Sequence, residues 1–213
     1  MVPFSNKGYI RGLNEYVEAS SEEGTSSFLD QYYGPMFDSE KMDDELYGIP
    51  FMRSTPILYV NKDMLDAAGV QVPTTWAELV SAAASLTTDD VAGLGIPDTW
   101  DDWIFGAFSR QAGSQLIEND WTTPTFNSEG NVEALSTWVE LANAGSIPVP
   151  LTPWSTSIAD FTAGKFAMLY WTTGGMSAVK ADAPFSWDAV FCPAGPAGFG
   201  VEQGGGDLHI MAE

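Results

Sequence analysis

Eight tryptophans in 213 residues supply flat apolar faces, and two of them, Trp100 and Trp103, stand three apart at the start of an expected helix, so both rings project near the same end. Aromatic faces at the mouth of a cleft suit the C–H faces of sugars and polyols, because stacking removes both surfaces from water. The ordinary alternative is that one of the pair belongs to the core. Thr172-Thr173-Gly174-Gly175 follows an apolar run and opens a helical pattern. A strand–turn–helix of this kind aims two hydroxyls and free backbone N–H groups outward from the carboxyl end of a strand, where ligands of α/β sheets sit. It suits a phosphate or a sugar hydroxyl, although a plain strand–helix turn explains it as well, and the spacing is not that of a P-loop. Arg53-Ser54-Thr55-Pro56 places a cation and two hydroxyls between two short strands. Arg53 is a candidate anion contact, with a salt bridge to a carboxylate as the alternative. Gly204-Gly205-Gly206-Asp207 needs either positive φ or close approach of the backbone to another group.

Groups for covalent or acid–base chemistry are few. Asp101 and Asp102 beside Trp100 are the best-placed paired carboxylates for glycoside hydrolysis, yet acids in a first helical turn are ordinarily caps or dipole partners. Cys192 is the single cysteine and His209 the single histidine, so neither an internal disulfide nor an all-histidine metal cluster can form. Cys192 lies in Ala-Val-Phe-Cys-Pro and reads as a buried small hydrophobe. No catalytic residue, cofactor or metal is expected.

The elements that must position these residues follow from pattern. Leu46–Phe51 and Pro56–Val60 read as short strands. Asn61-Lys62-Asp63 starts a helix that Gly69 stops, and Thr75 with Glu78 has capping-box spacing for the next. Val91–Ile96 is a strand, and Asp98 a candidate cap for a helix over Trp100–Ala112. After Phe126-Asn127-Ser128, Val132, Leu135, Val139 and Ala142 recur at helical spacing and mark the clearest amphipathic helix. Ser157–Ala163 is a short helix, Lys165–Trp171 a strand, Met176–Ala181 a helix and Trp187–Phe191 a strand. Ala194–Gly206 reads as a glycine-rich loop before a last strand over Leu208–Met211. Residues 1–45 are polar and punctuated by glycine, with no core of their own. Alternation of strands and helices predicts an α/β architecture whose sheet is flanked by helices.

Composition bounds the partners. Eight basic residues against 29 acidic ones give a net charge of −21, a sign that repels nucleic acid and anionic lipid. The start, Met-Val-Pro-Phe-Ser-Asn, carries no basic or apolar run of the kind found in secretory signals.

Several segments together resemble the extracellular solute-binding proteins of ABC importers, the maltose-type family 1, and within it the glycerol-3-phosphate and sugar binders. They are Tyr47-Gly48-Ile49-Pro50-Phe51, Ser54 to Asp63 with its Tyr-Val-Asn-Lys-Asp ending, and Pro73-Thr74-Thr75-Trp76-Ala77-Glu78-Leu79. Phe126-Asn127-Ser128, Gly164 to Met168 and the glycine turn before Leu208 match in the same order. The resemblance implies a type II periplasmic-binding-protein-like α/β fold and a protein that closes on one sugar, polyol or glycerol-3-phosphate-like solute without chemistry. A carbohydrate-active hydrolase using paired carboxylates is the alternative. Carried onto this chain, it implies solute contacts from Ser54, Trp100, Thr172, Thr173, Gly174, Gly204 and Gly205, and more weakly from Trp103. It also implies membrane subunits of an importer as partners and a periplasmic or extracellular location. Members of the family are longer, so the resemblance implies a fragment: a partial N-terminal lobe and crossing segment over 1–52, a C-terminal lobe over 53–195 and a return crossing over 196–213. Apolar surface left uncovered in such a chain would favour self-association.

Overall fold

A computed structural model describes residues 2–19, 29–118 and 122–212. The chain packs as two units, Met1–Ser54 with Gln203–Glu213, and Thr55–Glu202.

The first unit is built from short pieces. Helices α1 (Val2–Asn6) and α2 (Asn14–Ala19) precede a 3₁₀ segment, Gly34–Glu40. Strands β1 (Lys41–Met42) and β2 (Glu45–Leu46) form an antiparallel pair joined by Asp43-Asp44, both at positive φ, as a hairpin turn of primed type requires. Strand β3 (Ile49–Ser54) pairs antiparallel with β8 (Gly204–Leu208), from Ile49 opposite Leu208 to Ser54 opposite Gly204. Only the end of the stretch expected as a loop, Gly204–Gly206, is strand: it opens the last strand, which was expected over Leu208–Met211. The reason is contact: Gly205, at φ 142°, lies so close to β3 that a Cβ there would run into the Met52 carbonyl. Glycine at 205 is what lets the two backbones meet. A small core of Leu13, Phe37 and Leu46 does form here, within the segment expected to have none.

The second unit carries the main sheet. Strand β4 (Pro56–Asn61) is buried at every position, which is why it reads as an unbroken apolar run. Helix α3 (Lys62–Ala68) follows, capped by the Asn61 side chain accepting from the Met64 amide at 3.1 Å and ended by Gly69 in the left-handed region. Helix α4 (Trp76–Leu86) has the expected reciprocal capping box, Thr75 with Glu78. Its apolar face, Trp76, Leu79, Ala83 and Leu86, lies in the core with Leu58, Val60, Leu94 and Phe108.

Strand β5 (Ala92–Gly95), helices α5 (Asp101–Gln111), α6 (Glu129–Asn143) and α7 (Trp154–Thr162), strand β6 (Phe166–Thr172), helix α8 (Met176–Asp182) and strand β7 (Trp187–Val190) complete the unit. Strand order is β5-β6-β4-β7, with β5 and β6 parallel and the other pairs antiparallel. Two expectations about helices change. Asp98 does not cap α5, whose first turn has no side-chain cap. On α6 the regular stripe Val132, Leu135 and Val139 is exposed, whereas Ala134 and Leu141 are fully buried. Periodicity located the helix but not its inward face, because the large Trp138 packs edge-on against Phe105 and Phe108 and sets the rotation.

Candidate functional site

Parallel pairing of β5 and β6 puts their carboxyl ends on one edge of the sheet, and antiparallel pairing sets Pro56 of β4 opposite Thr172 of β6 at that edge. Four tryptophans form a continuous array beside it. Trp171 is the penultimate residue of β6, and Trp154, the first residue of α7, stacks on it with ring centroids 3.5 Å apart and planes at 25°. Trp100 stands 6.0 Å from Trp154 at 58°, and Trp103 6.4 Å from Trp100 at 74°. Exposure falls along the row, from 50% at Trp100 to 8% at Trp171. Trp100, flanked by Trp154 and Trp103, thus stays half exposed. The Trp103 indole N–H donates to the Glu202 carbonyl at 3.1 Å, which fixes that ring and spends its polar group.

The loop that carries Trp100 is fastened rather than free. Asp98, expected as a helix cap, instead accepts from the Trp154 amide at 2.9 Å and the Thr99 hydroxyl at 3.0 Å. Its own amide donates to the Thr152 carbonyl at 2.8 Å. Thr99 has φ 68°, a costly conformation for a β-branched residue that persists only where its surroundings impose it. One carboxylate therefore ties the start of α7 to the strained turn that presents Trp100.

The Thr172–Gly175 turn closes the other side of this edge. It forms a 3₁₀ turn, Thr173–Gly175, leading into α8. Gly175 is required by close packing, since a Cβ there would lie 2.6 Å from Trp171 Cδ1 and 2.9 Å from Ile158 Cδ1. The expected outward donors are partly consumed: the Gly174 amide donates to Thr172 Oγ1 at 3.0 Å, and the Thr173 amide to the Thr55 carbonyl at 3.0 Å. Thr173 Oγ1 also accepts from the Thr55 amide at 3.4 Å. Each threonine hydroxyl retains its own hydrogen to donate, and Thr172 is buried while Gly174 is exposed. Tyr59 anchors the turn by donating to the Thr172 carbonyl at 2.8 Å, and burial raises the pKa of this phenol, so it stays a neutral donor.

Of the remaining expected residues, Arg53, Ser54, Gly204 and Gly205 belong to the first unit and face one another across the β3–β8 ladder. The Arg53 guanidinium is taken by carboxylates, Glu40 Oε1 at 3.0 Å and Asp207 Oδ1 at 2.6 Å, with the Met36 carbonyl at 3.0 Å. This is the salt-bridge alternative to the anion contact expected of Arg53, and the buried Nε is left without a hydrogen-bond partner. Gly205 approaches the Met52 carbonyl rather than an open space. Asp102 accepts from the Trp103 amide at 2.9 Å, as a first-turn acid does. Cys192 is buried, and loss of solvation pushes its thiol up to about 12, so it is no nucleophile. A groove of about 830 Å³ bordered by Thr75, Ala77, Val80, Thr137 and Pro196 contains none of the expected residues.

The model of the family described as bacterial extracellular solute-binding protein matches residues 1–212. The chain belongs to that family. Among curated relatives, a binding protein of Brucella abortus (strain 2308) is 23% identical over 219 residues, 99% of this chain and 51% of the relative. Among solved structures, the GacH receptor of Streptomyces glaucescens, described unliganded and in complex with acarbose, is 28% identical with a TM-score of 0.80, over 98% of this chain and 53% of that one. UgpB of Mycobacterium tuberculosis, solved with glycerophosphocholine, shares the fold at 20% identity and a TM-score of 0.84, over 99% and 54%. The α/β, periplasmic-binding-protein-like fold is thus borne out. The chain spans about half the length of the relatives it matches. Among the described residues, no helix is long and apolar enough to cross a membrane.

Of the residues singled out in the sequence, Trp100 and the Thr172–Gly174 turn come to lie with Trp154, Trp171 and Asp98, which the sequence did not mark as part of a site. A signal for Trp171 was present, since it immediately precedes the threonine turn. Nothing local in the sequence joins Trp154 to Trp100 or to Asp98.

Proposed function

We propose that this chain is the solute-gripping part of the binding component of an ABC importer, acting in the periplasm or outside the cell and taking a sugar, polyol or glycerol-phosphate solute without chemistry. The observation that carries this reading is the half-exposed Trp100 face, braced by Trp154 and Trp171, on the sheet edge that also carries the Thr172–Gly175 turn. An aromatic plane takes the C–H face of a polyhydroxylated guest, and adjoining hydroxyls take its rim. Thr173 and, through its exposed backbone, Gly174 are the contacts on that rim. Ser54, Gly204 and Gly205 stay contacts that the family resemblance alone implies, and Trp103 steadies Trp100 more than it touches solute. GacH was solved with acarbose and UgpB with glycerophosphocholine, which supports this range of solutes. The importer's membrane subunits are the partners, and the solute is released to them unchanged.

Calorimetric titration of the chain with maltose, mannitol, glycerol 3-phosphate and glycerophosphocholine tests the reading. Saturable binding of at least one is expected, and Trp100→Ala should weaken it by about 1–2 kcal/mol, the scale of a packed aromatic anchor. Binding that Trp100→Ala leaves unchanged, or turnover of any of these solutes, would contradict it.

A further inference from the structure

The solute reading leaves one cluster of the first unit unused. Glu40, at the end of the 3₁₀ segment, is only 2% exposed. Its Oε1 accepts from Arg53 at 3.0 Å and from the Ser39 hydroxyl at 2.8 Å, while its Oε2 is buried with no hydrogen-bond partner. An unsatisfied, fully desolvated carboxylate oxygen is costly. It lies beside Asp207 of β8 and His209: one ligand atom from each of Glu40, Asp207 and His209 falls within 4.8 Å of the others.

The chemistry of these three groups is that of a cation site. Arg53 holds one oxygen of each carboxylate, as outer groups do when they orient ligands. One guanidinium against two carboxylates leaves a negative charge uncompensated. His209 Nδ1 lies 2.7 Å from the Tyr47 carbonyl. A carbonyl only accepts, so Nδ1 carries the hydrogen and Nε2 keeps a lone pair for a ligand bond. A lone histidine excludes an all-histidine cluster, not a mixed one. The space between the groups also depends on residue 48: a Cβ on Gly48 would sit 2.6 Å from Glu40 Oε2 and 2.7 Å from His209 Cε1.

We infer that Glu40, Asp207 and His209 form a binding site for one divalent cation of borderline character, Zn²⁺ being the best match to two carboxylates and an imidazole. Zn–O and Zn–N bonds run at roughly 2.0–2.2 Å, so a cation among atoms within 4.8 Å of one another needs the three side chains to draw together. The cation satisfies Glu40 Oε2, neutralises the excess charge and fastens β8 to the 3₁₀ segment through groups distant in sequence. The site is independent of the solute reading.

The test is calorimetric titration of metal-stripped full-length chain with Zn²⁺ at neutral pH, with thermal unfolding in parallel. One equivalent per chain is expected, with the midpoint of unfolding rising on saturation. His209→Ala, which removes a ligand from a part-buried position, should weaken binding at least tenfold while unfolding of the metal-free chain stays cooperative. Gly48→Ala, which fills the cradle and removes no ligand, should do the same. Absence of saturable binding, or binding that His209→Ala leaves within twofold, would overturn the site. So would a metal-free chain that gains stability on acidification and ignores Zn²⁺, since Glu40 and Asp207 would then be sharing a proton.

Discussion

Two polar regions of this chain solve opposite problems. The edge formed by Pro97–Trp100, Trp154 and Thr172–Gly175 leaves an apolar ring face in water, and the polar groups around it are spent on holding that ring. The Glu40–Arg53–Asp207 cluster buries charge, and its groups are spent on one another. The first has a surface to offer a hydroxylated guest; in the second, the Arg53 guanidinium is held between two carboxylates. A cation in a sequence marks a ligand site only when its own chain leaves it unpaired.

Breaking the charged region should have the largest effect. Arg53→Ala strands two carboxylates, one of them nearly inaccessible, and should cost about 3 kcal/mol of stability in urea unfolding, the scale for removing one member of a buried ion pair. Solute affinity through Trp100 should be retained at denaturant-free conditions; a matching loss of affinity would erase the contrast between the regions.

The reverse experiment sharpens it. Asp98→Ala removes the acceptor for the Trp154 amide and the Thr99 hydroxyl and should cost about 1 kcal/mol of stability. Because the strained Thr99 turn is then free to relax, solute affinity should fall severalfold in calorimetry, although Asp98 touches no solute. Affinity equal to wild type would show that the Trp100 face needs no such support.

How much of this was legible beforehand differs between elements for physical reasons. Strands β4 and β6 and helices α3 and α4 carry their signals locally: an apolar run, an Asn or Thr cap, a stopping Gly. The strand Gly204–Leu208 was unreadable as a strand because its glycines serve a contact with Met52, which no local pattern reports. The rotation of α6 was decided by Trp138 against Phe105 and Phe108 rather than by the most regular stripe. In the candidate site, Trp100 stood out by spacing and Asp98 lies just before it in the chain, whereas Trp154, which meets both, stands 56 residues beyond Asp98. For Arg53 the sequence left an anion contact and a salt bridge open, because its carboxylate partners, Glu40 and Asp207, lie on separate segments.

The smallest effect expected lies outside both regions and serves as their control. Bonds from the Thr74 amide and hydroxyl hold the exposed Glu78 carboxylate below its usual pKa of 4.5. A carboxylate with a lowered folded pKa stabilises the fold above its unfolded pKa, and that contribution is lost as pH falls through the folded value. Glu78→Gln should therefore flatten the acid limb of stability slightly between pH 5 and 3, in ~1-unit steps of a pH series, and leave solute affinity unchanged.

The central claim is that the Trp100 face meets the solute, and indole N–H resonances in a ¹H–¹⁵N spectrum test it most directly. On addition of whichever solute binds, the account predicts shifts for Trp100 and its neighbour Trp154, and none for Trp76, whose buried indole donates to Gln111 at 2.8 Å. Saturable binding with Trp100 and Trp154 unmoved would contradict it.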